Sequence, residues 1–113
     1  MLTNDAKKLL YALYTEYKAR RAVGSPRSDA KYFHSAESIQ ENFLPDWILD
    51  DVEDTLFELE DAGLVEILRA DNTITECFIS DAAIATAEKQ SSDVFASALD
   101  FVAKFVFPLF PNL

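Results

Sequence analysis

His34 beside Ser35, with Asp29 nearby, are the residue types that could form a nucleophilic relay, in which imidazole takes a hydroxyl proton and a carboxylate orients the ring. They fall in a turn-rich stretch with no nucleophile-elbow pattern and no oxyanion motif, so Ser35 reads instead as a helix cap. Cys77 is the single cysteine and cannot form an internal disulfide, and with His34 as the single histidine it cannot build a zinc site. A glycine-rich phosphate loop is excluded because the chain holds only Gly24 and Gly63. No pair of carboxylates stands out from the general acidity. The expectation is a protein that is not an enzyme and uses no metal or cofactor.

The chain that must position these residues has 113 residues, half of them apolar and 12% aromatic. That suits one packed domain with a core of its own and excludes a disordered tail. The net charge of −10, from 10 bases and 20 acids, argues against general affinity for a polyanion. The charge is also unevenly placed: residues 1–31 carry seven bases and three acids, for +4, which leaves −14 on residues 32–113. The N-terminal stretch Met-Leu-Thr-Asn-Asp-Ala-Lys-Lys has no apolar h-region and reads as a mature cytosolic start, so a cytoplasmic protein is expected.

Periodicity and punctuation divide the chain into helices and one hairpin. Thr3 or Asn4 caps a first helix over about 4–22, with Leu9, Leu10, Leu13 and Tyr17 at helical spacing and Gly24 where it stops. Ser25 to Asp29 reads as a connector, and Ser35 caps a short second helix through Ala36, Ile39 and Phe43. Leu44-Pro45-Asp46 interrupts it. A third helix is predicted from Asp51 to Ala62, with Asp50 and Glu53 as an acidic capping box and Trp47 and Ile48 closing the core beneath it. Leu64–Arg69 and Ile74–Ile79 form a hairpin turned at Asp71-Asn72, and Ser80 caps a further helix to about Gln90. An apolar helix from Asp93 to Phe107 ends at Pro108, which divides the chain into a domain over 1–90 and a tail over 91–113.

The stretch Val52-x-x-x-Leu56-x-x-Leu59-Glu60-x-x-Gly63-Leu64-Val65 resembles the end of the third helix of a winged helix-turn-helix domain running into its first wing strand. Phe78-Ile79-Ser80-x-x-x-Ile84-x-x-x-Glu88 resembles the exit from the wing, with Ala83 where many members carry glycine. The resemblance covers about residues 4–90. More loosely, the chain is similar to small uncharacterised winged-helix proteins of Gram-positive bacteria and their phages or mobile elements. It implies a mainly α fold with a small β-hairpin, a winged helix-turn-helix followed here by the apolar C-terminal helix. It also implies the family's habit of placing the third helix in the major groove with basic side chains on phosphates.

The residues run against that habit. From Glu41 to Asp61 there are nine acids and no Lys or Arg, and Asp51, Asp54, Glu58 and Asp61 line the outward stripe of the third helix. Each close approach to a phosphate would cost on the order of a kcal/mol even with screening. The wing adds only Arg69. The acidic stripe therefore reads as a solvated face, a docking surface for a basic partner, or a mimic of a phosphate row like that of a phage-type inhibitor of DNA-binding proteins. Lys18, Arg20, Arg21, Arg27 and Lys31, with Lys7 and Lys8, are the candidates for DNA contact, or else serve the helix dipole and the domain's own acids.

The tail carries Val94, Phe95, Ala98, Leu99, Phe101, Val102, Phe105, Val106 and Phe107, and only Ser97, Asp100 and Lys104 make a polar strip. A helix apolar on most of its circumference must be buried on most of it. Phe95, Leu99, Phe101, Val102, Phe105 and Val106 are accordingly expected either in a homodimer interface, or against the domain's own core, or on a membrane surface; spanning a membrane is excluded by length and charge. Function is expected through protein contacts, homodimerisation and docking of a basic partner. The alternative is a DNA-binding transcriptional regulator that uses the basic residues of the first helix and connector and not the third helix.

Overall fold

The computed structural model describes residues 1–89. They form α1 (Asn4–Ala22), α2 (Arg27–Ala30), β1 (Tyr32–His34), α3 (Ala36–Phe43), α4 (Leu49–Asp61), β2 (Val65–Ala70), β3 (Thr73–Ile79) and α5 (Asp81–Lys89). The three strands make one antiparallel sheet in the order β1-β3-β2. The chain is thus mainly helical with a small antiparallel sheet, an arrangement compatible with a winged-helix-like layout.

Caps written in the sequence set most boundaries. Thr3 Oγ1 accepts from the Ala6 N–H at 3.1 Å, Ser35 Oγ from the Ser38 N–H at 3.1 Å, and Ser80 Oγ from the Ala83 N–H at 3.1 Å. At the other ends α1 and α4 close with the same motif. Ser25 N–H donates to Arg20 O and Gly24 N–H to Arg21 O, while Leu64 N–H donates to Leu59 O and Gly63 N–H to Glu60 O. Gly24 and Gly63 stand at φ +96° and +76°, the left-handed position this motif requires. The hairpin turns on Asp71 and Asn72, both at positive φ (52° and 65°), the pair of conformations whose twist matches the strands.

Four expectations are corrected. The Ser25–Asp29 connector is not wholly irregular, because α2 occupies 27–30 and β1 follows at once. β1 turns the expected two-stranded hairpin into a three-stranded sheet, pairing Tyr32 with Phe78 and His34 with Cys77 across a bulge where His34 reaches φ 63°. α4 starts at Leu49, so Asp50 lies inside it and the capping box does not form. The N-cap is Ile48, without a side-chain bond, and its carbonyl accepts from Asp51 and Val52. Ile48 is 64% exposed and does not close the core, a task left to the half-buried Trp47.

The core is built around α1. Ala6, Leu9, Leu10, Leu13 and Tyr17 meet Val52, Leu56 and Leu59 of α4 and Ala83, Ile84 and Ala87 of α5 in one cluster, with Phe33, Ile39, Ile74 and Ile79. Removing one such leucine side chain costs about 2–5 kcal/mol. Residues 9–14 of α1 are all buried, so the helix is enclosed all round over this stretch.

Candidate functional site

α4 carries seven carboxylates and no base in its thirteen residues. Its apolar stripe, Val52, Leu56 and Leu59, is fully buried, and this forces the acidic positions outward. Asp50 and Asp51 sit in the first turn, where the helix dipole favours them. Asp61 sits in the last turn, where the dipole opposes it and the helix has no base of its own. Asp50–Asp54 and Asp54–Glu58 are like-charge neighbours one turn apart, each costing a few tenths of a kcal/mol.

Of the four residues on the expected outward stripe, three are together in solvent: Asp51, Asp54 and Asp61. Glu58 is half-buried and bound to the start of α1. The Thr3 N–H donates to Glu58 Oε2 at 2.8 Å and the Thr3 hydroxyl to Glu58 Oε1 at 2.7 Å. The carboxylate therefore complements the positive end of α1 and braces the residue that caps it. Glu60 is also engaged: Arg69 Nη2 donates to Glu60 Oε1 at 2.6 Å, with the guanidinium 4.7 Å from the Phe57 ring centre. The single base of the β2–β3 hairpin is thus held against α4. Among the described residues Asp50, Asp51, Glu53, Asp54 and Asp61 make no ion pair.

Two neighbours fix the position of α4. Gln40 Nε2 donates to Trp47 O at 3.0 Å and to Pro45 O at 3.4 Å, tying the loop between α3 and α4 to α3. The Ser80 hydroxyl donates to Gly63 O at 2.8 Å and so ties the end of α4 to the start of α5. Beside the first turn of α4 lies an open groove of about 340 Å³ bordered by Glu37, Leu49, Glu53, Thr73, Ile74 and Thr75.

The basic residues are mostly used within the fold. Arg20 Nε donates to Glu16 Oε2 at 2.8 Å, Arg20 Nη1 donates to Tyr32 O at 2.6 Å and Ala30 O at 3.4 Å, and the guanidinium lies 4.5 Å from the Phe33 ring centre. One side chain so fastens α1 to the end of α2 and to β1. Arg27 and Lys31 both meet Asp81 Oδ1, at 3.2 and 2.8 Å. The Lys31 ammonium, and then Arg27, hold the Asp81 carboxyl below the usual carboxylate range. Arg21 donates to Ser25 O at 3.0 Å, and Lys18 lies 5.7 Å from the Tyr14 ring centre. Of the five expected DNA-contact residues, Lys18, Arg21 and Arg27 are exposed and Arg20 and Lys31 are half-buried.

The other residues singled out for chemistry have structural surroundings. Ser35 caps α3, and the His34 ring lies against Tyr32 with centres 4.2 Å apart. The Tyr32 hydroxyl donates to Glu76 Oε1 at 3.0 Å, a bond that raises its pKa above the ordinary range. Cys77 is fully buried, and burial pushes its thiol up to about 12. Among the described residues no group of three or more His, Cys, Asp or Glu side chains is placed to hold a metal ion, and no helix is long and apolar enough to cross a membrane. The expected dimer residues Phe95, Leu99, Phe101, Val102, Phe105 and Val106 lie outside the described residues. Sequence reasoning missed the bracing roles of Glu58, Gln40 and Arg20, because each acts on a partner distant in the chain or in a loop. No family model, no curated protein and no solved structure matches this chain.

Proposed function

We propose that this protein is a non-enzymatic winged-helix module that works through protein contacts, with the exposed side of α4 docking a basic partner. The observation that carries the reading is the charge arrangement of α4, whose seven acids are relieved by one arginine. Local stability does not account for it. Like charges repeat one turn apart, and the last turn holds acids where the dipole favours bases. Asp51, Asp54 and Asp61 define the face, and Asp50 and Glu53 extend it around the first turns. Glu58 belongs to the fold rather than to the docking surface, since both its oxygens are taken by Thr3. Homodimerisation through the apolar tail remains part of this proposal as a feature of residues 91–113.

The same helix is the one winged-helix proteins commonly set in the major groove, and its charge argues for a polycation there instead of DNA. Double reversal, Asp51→Lys with Asp54→Lys, is expected to abolish co-purification of the native partner while leaving the unfolding midpoint within a few degrees. Undiminished capture by the folded variant overturns the docking role. The DNA-binding alternative would use Lys18, Arg20, Arg21, Arg27 and Lys31, of which Arg20 is fastened to two backbone carbonyls and Arg27 and Lys31 share Asp81. Duplex affinity near physiological salt that falls steeply as salt rises would favour that alternative over the docking role.

A further inference from the structure

We infer that the groove beside the first turn of α4 receives an arginine side chain of the basic partner, an assignment that rests on the docking role of α4 and names its anchor. Three elements meet around the groove: Glu37 comes from the first turn of α3, Leu49 and Glu53 from α4, and Thr73, Ile74 and Thr75 from the start of β3. Its volume of about 340 Å³ is at the small end of ligand pockets, which run about 300–1,000 Å³, and suits one or two side chains rather than a helix. Packing of α3 on both α4 and β3 holds the walls in place.

The lining selects a cation with several donors. Glu37 and Glu53 supply two carboxylates, and among the described residues neither makes an ion pair. The Thr73 hydroxyl donates to Ala70 O at 2.8 Å and the Thr75 hydroxyl to Leu68 O at 3.2 Å, so each has committed its proton and has only lone pairs left to offer. No Lys or Arg occurs from Tyr32 to Leu68, so the walls given by α3 and α4 carry no base. The amino end of α3 contributes about half a positive charge, which Glu37 in its first turn more than offsets.

Arginine fits this lining better than lysine. Its planar guanidinium carries five donors in a fixed fork and sheds water more readily than an ammonium, so it has donors enough for both carboxylates and a threonine oxygen. Its aliphatic stem has apolar surface to cover, the half-buried Leu49 and the neighbouring Ile74. An acidic segment would meet like charge at the same place.

An NMR chemical-shift titration of the full chain at constant ionic strength tests the site, with N-acetyl-arginine amide as the probe and the lysine and citrulline amides for comparison. Expected are saturable shifts at Glu37, Leu49, Glu53 and Thr73 to Thr75 with arginine, binding of lysine weaker by about threefold or more, and no binding of citrulline, which keeps the shape without the charge. Glu37→Gln with Glu53→Gln should weaken arginine binding by about fivefold or more, the rest of the spectrum showing that the variant is folded. No saturable shift by tens of millimolar, equal binding of lysine or citrulline, or undiminished binding by the double variant overturns the arginine site. Shifts centred on Asp51, Asp54 and Asp61 with none in the groove overturn it too, while leaving the α4 docking role standing. Failure of that role is read separately, as undiminished partner capture by the Asp51→Lys, Asp54→Lys variant.

Discussion

Replacing Glu58 by alanine separates a carboxylate that holds the fold from carboxylates that merely share its helix. Glu58 accepts the Thr3 N–H and hydroxyl at 2.8 and 2.7 Å, and Thr3 in turn caps α1 through the Ala6 N–H. Net contributions of hydrogen bonds to charged groups run about 1.5–3 kcal/mol, less where water competes, as at this half-exposed site. Favourable placement at a helix N-terminus adds about 0.3–1 kcal/mol. The loss expected for Glu58→Ala is thus about 1–2 kcal/mol, or roughly 4–15 °C in Tm for a domain of this size. Asp54→Ala, on the same helix but in solvent, should stay within about 0.5 kcal/mol and relieves two like-charge neighbours. The assay is urea unfolding of each variant, with Thr3→Ala and the double variant completing a cycle whose coupling should exceed about 0.5 kcal/mol. A Glu58→Ala loss equal to that of Asp54→Ala, with additivity in the cycle, would refute the bracing role.

Further outcomes follow from the same contacts. Arg20→Lys should cost about 1–3 kcal/mol in urea unfolding, because an ammonium cannot span the Tyr32 and Ala30 carbonyls while stacking on Phe33 and pairing Glu16; a loss under about 0.5 kcal/mol contradicts the fastening. Asp81 has a folded pKa below its ordinary 3.8, so its pairing with Lys31 and Arg27 stabilises at neutral pH and is lost as pH falls through the folded value. Asp81→Asn should therefore flatten the acid limb of the stability profile, an effect that shrinks in high salt, and an unchanged limb at low salt counts against it. Cys77, with its thiol raised to about 12, should react with a disulfide reagent at pH 8 only at the rate of unfolding, whereas rapid stoichiometric labelling would place it at the surface.

The caps and turns were legible because they are local. Thr3, Ser35 and Ser80 each act within three residues, Gly24 and Gly63 supply left-handed turns in place, and Asp71-Asn72 closes a two-residue loop. The acidic stripe of α4 was legible for a related reason, since Val52, Leu56 and Leu59 fix which side faces inward. β1 was hidden because three residues carry no period, and its partner β3 lies more than forty residues away. Glu58 was misplaced on the free stripe because helical spacing specifies a direction but not what waits there, in this case the first turn of α1. Ile48 was misassigned for the opposite reason: an apolar residue next to Trp47 reads as core, yet as the N-cap of α4 it faces solvent. Arg20 read as one of several bases, and only the fold shows two carbonyls and a phenyl ring converging on it.

The most direct measurement replaces Asp54 with a photo-crosslinking residue in the living cell and identifies what is captured. The expected result is a protein adduct of net positive charge, lost when Asp51 and Asp61 are also changed to Lys. Capture of nucleic acid from a probe in place of Lys18, with no protein captured from position 54, would contradict the docking role of α4.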